Sequence, residues 1–199
     1  MSGTRRHERV RIARKGLVHV LADLVHARSD RGTEPGDDFR RRDAHRFHGF
    51  FEDPARQAAP ARMRRIYLAV VQGDPPASGV IDAPVGRDAR VRTRMAVTHR
   101  GKPSRTNYRV LERYGHAALV ECRLETGRTH QIRVHFQHLR HPLVGDETYR
   151  RGTRHGISFP RQALHAIELT LVHPGTHKPM TWSAPLPRDL KRLIEDLRK

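Results

Sequence analysis

Residues 124–149 read LETGRTHQIRVHFQHLRHPLVGDETY, and the fold turns on how the apolar period changes within them. The first two residues close an alternating run, AALVECRLE over 117–125, in which Leu119, Cys122 and Leu124 are among the apolar positions, as in a strand. Gly127 lets the chain turn sharply out of that strand. Thr129 then stands where an N-cap is expected, opening a helix through Leu139. Ile132, Phe136 and Leu139 fall at i, i+4 and i+7, the spacing of a buried stripe. Pro142 and Gly145 mark a tight loop at the far end. The N-terminus of such a helix presents unpaired backbone N–H groups and a partial positive charge, a seat suited to phosphate. Arg128 and His130 lie at that mouth and Arg133 one turn further in. Arg133 is about 100° around the helix from Ile132, so its planar fork is free to meet a carboxylate or a phosphate.

Outward from this stretch, the chain changes character near residue 63. Before it, Arg, Asp, His and Pro are dense and apolar periodicity is weak; one helix is expected over 43–53 (DAHRFHGFFED). After it, short strands are expected at 66–72 (IYLAVVQ), 91–98, 106–114, 117–125, 164–172 and 180–184, with PGTHK as a hairpin loop before the last. Leu190, Leu193, Ile194 and Leu197 make a final amphipathic helix. Strands mixed with few helices predict an α+β domain around a largely antiparallel sheet.

The 199 residues suit one domain. Lys and Arg number 39 against 21 acidic residues, a formal charge of +18, and such a surface attracts polyanions, nucleic acid first among them. No run approaches the roughly 20 apolar residues that cross a bilayer, so no membrane association is expected. Cys122 is the single cysteine, which rules out an internal disulfide and points to a reducing cytoplasm. His130, His135 and His138 share the helix at spacings of five and three, not the i, i+4 of a helical zinc pair, so no metal is expected. No phosphate-binding glycine string is present, and no cofactor is expected.

GRTHQIRVH followed by HPLVGDETY resembles the signature string of the RluA-type RNA pseudouridine synthases. RRIYLAVVQG resembles the strand in which that family carries an active-site tyrosine, here Tyr67. GKPSRTNYRVLERY and ALHAIELTLVHPGTHKPMTWSAPLP resemble later strands, so the likeness covers residues 64–199, with 1–63 divergent. It implies a single pseudouridine synthase-like catalytic domain over 1–199, a mixed, largely antiparallel sheet with flanking helices and a central basic cleft, and no separate N-terminal RNA-binding module. It also implies a cofactor-free isomerisation of uridine in ribosomal or transfer RNA, by a monomer. The target base is flipped out, which calls for an aromatic platform and a basic grip on the backbone.

In the family an aspartate in a His-Arg-Leu-Asp string is the nucleophile. The nearest counterpart here is VHARSDRGTEPGDDF, residues 25–39, which sets Asp30 as nucleophile, with Asp23, Asp37 and Asp38 as weaker candidates. Tyr67 would be the stacking platform and Arg133 the ion-pair partner of the aspartate. Arg28, Arg128, Thr129, His130 and Gln131 would contact RNA. Two departures stand out: Ser29 replaces a leucine, and GDDFRRR replaces an apolar strand, where two unpaired carboxylates would cost several kcal/mol each if buried. The alternative is a catalytically impaired relative that binds RNA without modifying it.

Overall fold

The computed structural model describes residues 63–150, 157–172 and 177–199. Six strands form one antiparallel sheet: β1 (Met63–Gln72), β2 (Ser78–Asp82), β5 (Arg105–Arg113), β6 (Ala117–Leu124), β7 (Leu164–Val172) and β8 (Pro179–Ser183), in the order β2-β5-β6-β1-β7-β8. A small hairpin, β3 (Val85–Arg87) with β4 (Met95–Val97), stands apart from it. Two helices complete the described elements, α1 (Gln131–His138) and α2 (Arg188–Leu197). Every strand pairing is antiparallel, in line with the expected α+β class. Among the described residues no helix is long and apolar enough to cross a membrane.

The run IYLAVV is apolar at nearly every position because β1 is central and covered on both faces. Ala69 and Val71 join Val120, Cys122, Ile132 and Phe136 in the cluster beneath α1. Leu68 and Val70 point the other way, into the cluster that α2 closes with Leu190, Leu193 and Ile194. β6 behaves alike: Ala118, Val120 and Cys122 face α1, Ala117 and Leu119 face α2. Burial pushes the Cys122 thiol well above its ordinary range, so it is a packing residue rather than a nucleophile.

The structure departs from expectation in three places. β2 escaped notice because it is an edge strand whose Val80 faces solvent, leaving only a weak apolar signal. The strand expected over 91–98 shrinks to β4, and residues before it belong to a hairpin turn. Helix α1 begins at Gln131, with His130 in the left-handed region (φ 57°) as its N-cap and no side-chain cap. Thr129 therefore lies outside the helix and does not cap it. The helix expected over 43–53 lies outside the described residues.

A buried polar chain ties α1 to the sheet. Gln131 Nε2 donates to the Thr106 hydroxyl (3.0 Å), Thr106 Oγ1 donates to His135 Nδ1 (2.9 Å), and His135 Nε2 donates to the Ala83 carbonyl (2.9 Å). This arrangement needs a neutral His135, and burial holds its pKa below the ordinary imidazole value. Protonating Nδ1 would leave the Thr106 hydroxyl hydrogen without its acceptor among the described residues. Because the folded value lies below the unfolded one, the stabilisation is complete above the unfolded value, about 6.5. It is lost as pH falls through the folded one. The unfolding midpoint should thus decline on acidification from pH 7, and less steeply in a His135→Gln protein; equal slopes would remove His135 as the cause.

Candidate active site

The turn from β6 into α1 is organised by Gln131, which is 2% exposed. Its Oε1 accepts from the Thr126 hydroxyl and the Arg128 N–H, each at 2.9 Å. Its Nε2 donates to the Arg105 carbonyl and to Thr106. With all of its amide engaged inside the protein, Gln131 is a brace for the loop, not the RNA contact expected of it. Thr129 and His130 are exposed at the mouth, and Arg128 is half-buried.

His130 Nδ1 lies 2.8 Å from the Tyr149 hydroxyl, the two rings edge to face. The same hydroxyl oxygen accepts the Met95 N–H at 3.0 Å, so the phenol proton points to Nδ1 and the imidazole proton sits on Nε2. Partial desolvation of the ring where it meets Tyr149, and the nearby Arg133 guanidinium, lower the His130 pKa, only partly offset by Asp146. A neutral His130 presenting Nε2–H to the mouth follows.

Arg133 is held in both directions. Its Nε and Nη2 each donate to the Asp146 carboxylate at 2.7 Å, and its guanidinium lies 4.7 Å over the Tyr149 ring. Asp146 is fully buried, and Arg133 keeps 12% of its side chain exposed. Asp146 Oδ1 also accepts the N–H groups of Thr148 and Tyr149, so the carboxylate is fastened to its own turn. This bidentate fork leaves Nη1 as the donor for a further acceptor.

What places Asp146 is the zipping of residues 142–144 against β1. Gln72 N–H donates to Pro142, Val144 N–H to Val70, and Val70 N–H to Ala163. Gly145 then turns with φ +70°, and a Cβ there would collide with the backbone carbonyl of Arg161. A Gly145→Ala protein should lose about 2–4 kcal/mol, the left-handed penalty plus overpacking, measured by denaturant unfolding. A loss under 1 kcal/mol would mean that this turn relaxes at little cost.

Tyr67 lies on β1 opposite Cys122 on one side and Ala166 on the other, next to a register shift in the β7 pairing. It packs on the rim of the cluster that holds Ile132 and Phe136, which puts it on the sheet face that carries α1 and Arg133. Burial raises its pKa, against the pull of Arg65, so the phenol keeps its proton at neutral pH. Two residues before it, on the same face of the strand, Arg65 lies against Gly127. Its pKa is lowered by burial and, more weakly, by Arg128. Arg65 Nε is the one buried side-chain polar atom without a partner among the described residues. Tyr67, Arg65, Arg128 and the mouth of α1 thus form one cationic corner beside a ring.

A family model described as RNA pseudouridylate synthase matches residues 51–138. An uncharacterized RNA pseudouridine synthase of Chloroflexus aurantiacus is 51% identical over 141 residues, covering 71% of this chain and 44% of that protein. The ribosomal large subunit pseudouridine synthase D of Nitrosomonas europaea is 47% identical over 152 residues, 73% of this chain and 44% of that protein.

This chain belongs to the RluA-type pseudouridine synthases.

Solved members of the wider group share the fold. Human RNA pseudouridylate synthase domain containing 1 superposes with a TM-score of 0.53 at 28% identity, covering 74% of this chain and 73% of that one. Human RNA pseudouridylate synthase domain containing 4 gives 0.58 at 23% identity, with 82% and 69% covered. The chain spans less than half the length of the curated RluA-type relatives it matches. Asp30 and Arg28 lie outside the described residues, and the family match begins after them.

Three residues of this candidate site were not singled out from sequence: Asp146, Tyr149 and Arg65. Asp146 and Tyr149 stand in the quoted GDETY, where an aspartate following a turn glycine is a signal for local capping. Arg65 was legible as the same-face neighbour of Tyr67 at i−2. Among the described residues no three His, Cys, Asp or Glu side chains stand together as a metal site.

Proposed function

We propose that the protein converts specific uridines of ribosomal RNA to pseudouridine. The observation that supports this most is the Arg133 fork, clamped by buried Asp146 on the sheet face that carries Tyr67. A clamped guanidinium with its Nη1 donors left over suits the task of holding a second carboxylate ionised and aimed. In this reading Asp30 is that carboxylate and attacks the nucleotide, the N-glycosidic bond breaks, and the uracil turns and is rejoined through carbon. No atom is gained or lost, so no cofactor is called for. Tyr67 supplies a ring for the flipped base and, being protonated, an O–H donor rather than a base. Arg128, Thr129 and His130 hold the displaced backbone at the mouth of α1, where the N–H groups and the neutral imidazole donate to phosphate or ribose. Ribosomal RNA is favoured over transfer RNA by the names of the relatives in Nitrosomonas europaea and Pasteurella multocida, both ribosomal large subunit pseudouridine synthase D.

The test is a pseudouridine map of total RNA from cells with and without the gene, followed by purified protein on the same RNA. A ribosomal site that vanishes with the gene and is restored in vitro supports the reading. An unchanged map, together with no pseudouridine made by purified protein on any ribosomal or transfer RNA, would overturn it.

A further inference from the structure

Between β3 and β4 the chain reads GRDARVRTRM, residues 86–95, and four arginines fall within it. The turn is firmly built. Asp88 Oδ1 accepts the N–H groups of Arg90 and Val91 at 2.8 and 3.1 Å. The Asp88 N–H donates to the Arg94 carbonyl at 3.0 Å and the Arg94 N–H to the Val91 carbonyl at 2.8 Å. Arg87 Nη1 closes the loop from below on the Arg92 carbonyl at 3.0 Å. The only carboxylate in the turn is thus occupied by backbone, and no salt bridge to Arg90, Arg92 or Arg94 occurs among the described residues. All three are exposed, with Val91 42% exposed between the first two.

The base of the hairpin is anchored to the site. Val85, Val134 and Tyr149 form a small core with Met95 and Val97 packed against it. The Met95 N–H reaches the hydroxyl of Tyr149, the ring beneath the Arg133 guanidinium. Val85 and Lys102 exchange backbone hydrogen bonds at 3.0 and 2.9 Å, and Gly101 lies so close to Pro84, Val85 and Gly86 that no Cβ fits. Three exposed cations share this turn with one carboxylate, Asp88, which Arg90 and Arg94 feel only weakly and without an ion pair, so their mutual repulsion is largely left standing. They suit a partner that brings its own dense negative charge.

We propose that the β3–β4 hairpin is a phosphate clamp, in which Arg90, Arg92 and Arg94 grip the RNA backbone beside the target nucleotide and Val91 packs against a base or ribose there. The inference rests on the uridine-isomerase reading for the place of the target, but the clamp itself is tested by binding alone. Guanidiniums meet phosphate oxygens in bidentate pairs, and each such contact adds about one to the slope of log affinity against log salt.

The experiment measures binding of an RNA stem-loop with a uridine-rich loop across a salt series, for the full chain and for Arg90→Gln/Arg92→Gln/Arg94→Gln. The triple variant should melt like the parent, lose roughly tenfold or more in affinity at low salt, and show a slope lower by about two to three. Turnover on the RNA that the parent modifies should then show a raised KM with kcat retained at saturating RNA. Unchanged affinity and slope in a folded triple variant would overturn the clamp, even where the parent makes pseudouridine. Conversely, a parent that makes none while the triple variant loses slope would leave the clamp standing and remove the isomerase reading.

Discussion

Asp146→Ala should destabilise the protein by about 3–5 kcal/mol, because it strands the largely buried Arg133 guanidinium without its counter-charge. The loss is larger than for the exposed pairs elsewhere, such as Arg192 with Asp196, where solvent screens the two charges. It also removes the acceptor of the Thr148 and Tyr149 N–H groups, loosening the turn that carries the Tyr149 hydroxyl to His130 and Met95. Pseudouridine formation should fall with it. A second variant separates structure from chemistry: replacing both partners, Asp146→Leu with Arg133→Met, removes the stranded charge and should recover part of the stability. If Arg133 orients the nucleophile, this double variant stays inactive although it is folded. A folded double variant that still makes pseudouridine would take Arg133 out of the reaction.

Asp30→Asn carries the second large effect. Removing a nucleophile that works as a unit with its partners lowers turnover by factors on the order of 10⁴ or more, while an amide of the same shape leaves RNA affinity nearly unchanged. Single-turnover pseudouridine formation and equilibrium binding of the same RNA, run side by side, read the two quantities separately. Activity and binding lost together would make Asp30 a structural residue. Full activity in Asp30→Asn would pass the role to Asp23, Asp37 or Asp38, each open to the same substitution.

The sheet was legible where strands are covered on both faces or alternate strictly. β1 and β6 announced themselves through IYLAVV and AALVECRLE because two clusters close over them. β2 did not, since a single covered face on an edge strand leaves one or two apolar residues to read. The helix stripe of Ile132 and Phe136 was plain, yet its start was misplaced by one residue, Thr129 being expected as the N-cap that His130 occupies. The reason is the left-handed backbone at His130, a conformation uncommon for any residue but glycine and therefore not called by helix-start patterns. Tyr67 and Arg133 were named from motif resemblance alone, and both lie on the side of the sheet that carries α1; the roles given them belong to the proposed reaction. Asp146 could not be weighted from sequence because its importance is a matter of burial, and a loop aspartate after glycine reads as a capping residue. Gln131 shows the reverse error: a polar residue in a basic motif looked RNA-facing, but four internal hydrogen bonds absorb it.

The strand order also sets a timetable. β5 and β6 are hairpin neighbours and can pair as soon as both are made. β1, by contrast, finds β6 only across the intervening β2 to β5, and its other edge waits for β7, with Met63 opposite Leu171. Closing so long a loop carries a large entropic charge before any contact repays it. During synthesis the apolar run IYLAVV therefore leaves the ribosome well before the last of its partners. A chain built this way needs the β5–β6 ribbon as a template, and slow arrival of β7 leaves an open, sticky strand edge to be guarded by chaperones until the sheet is whole.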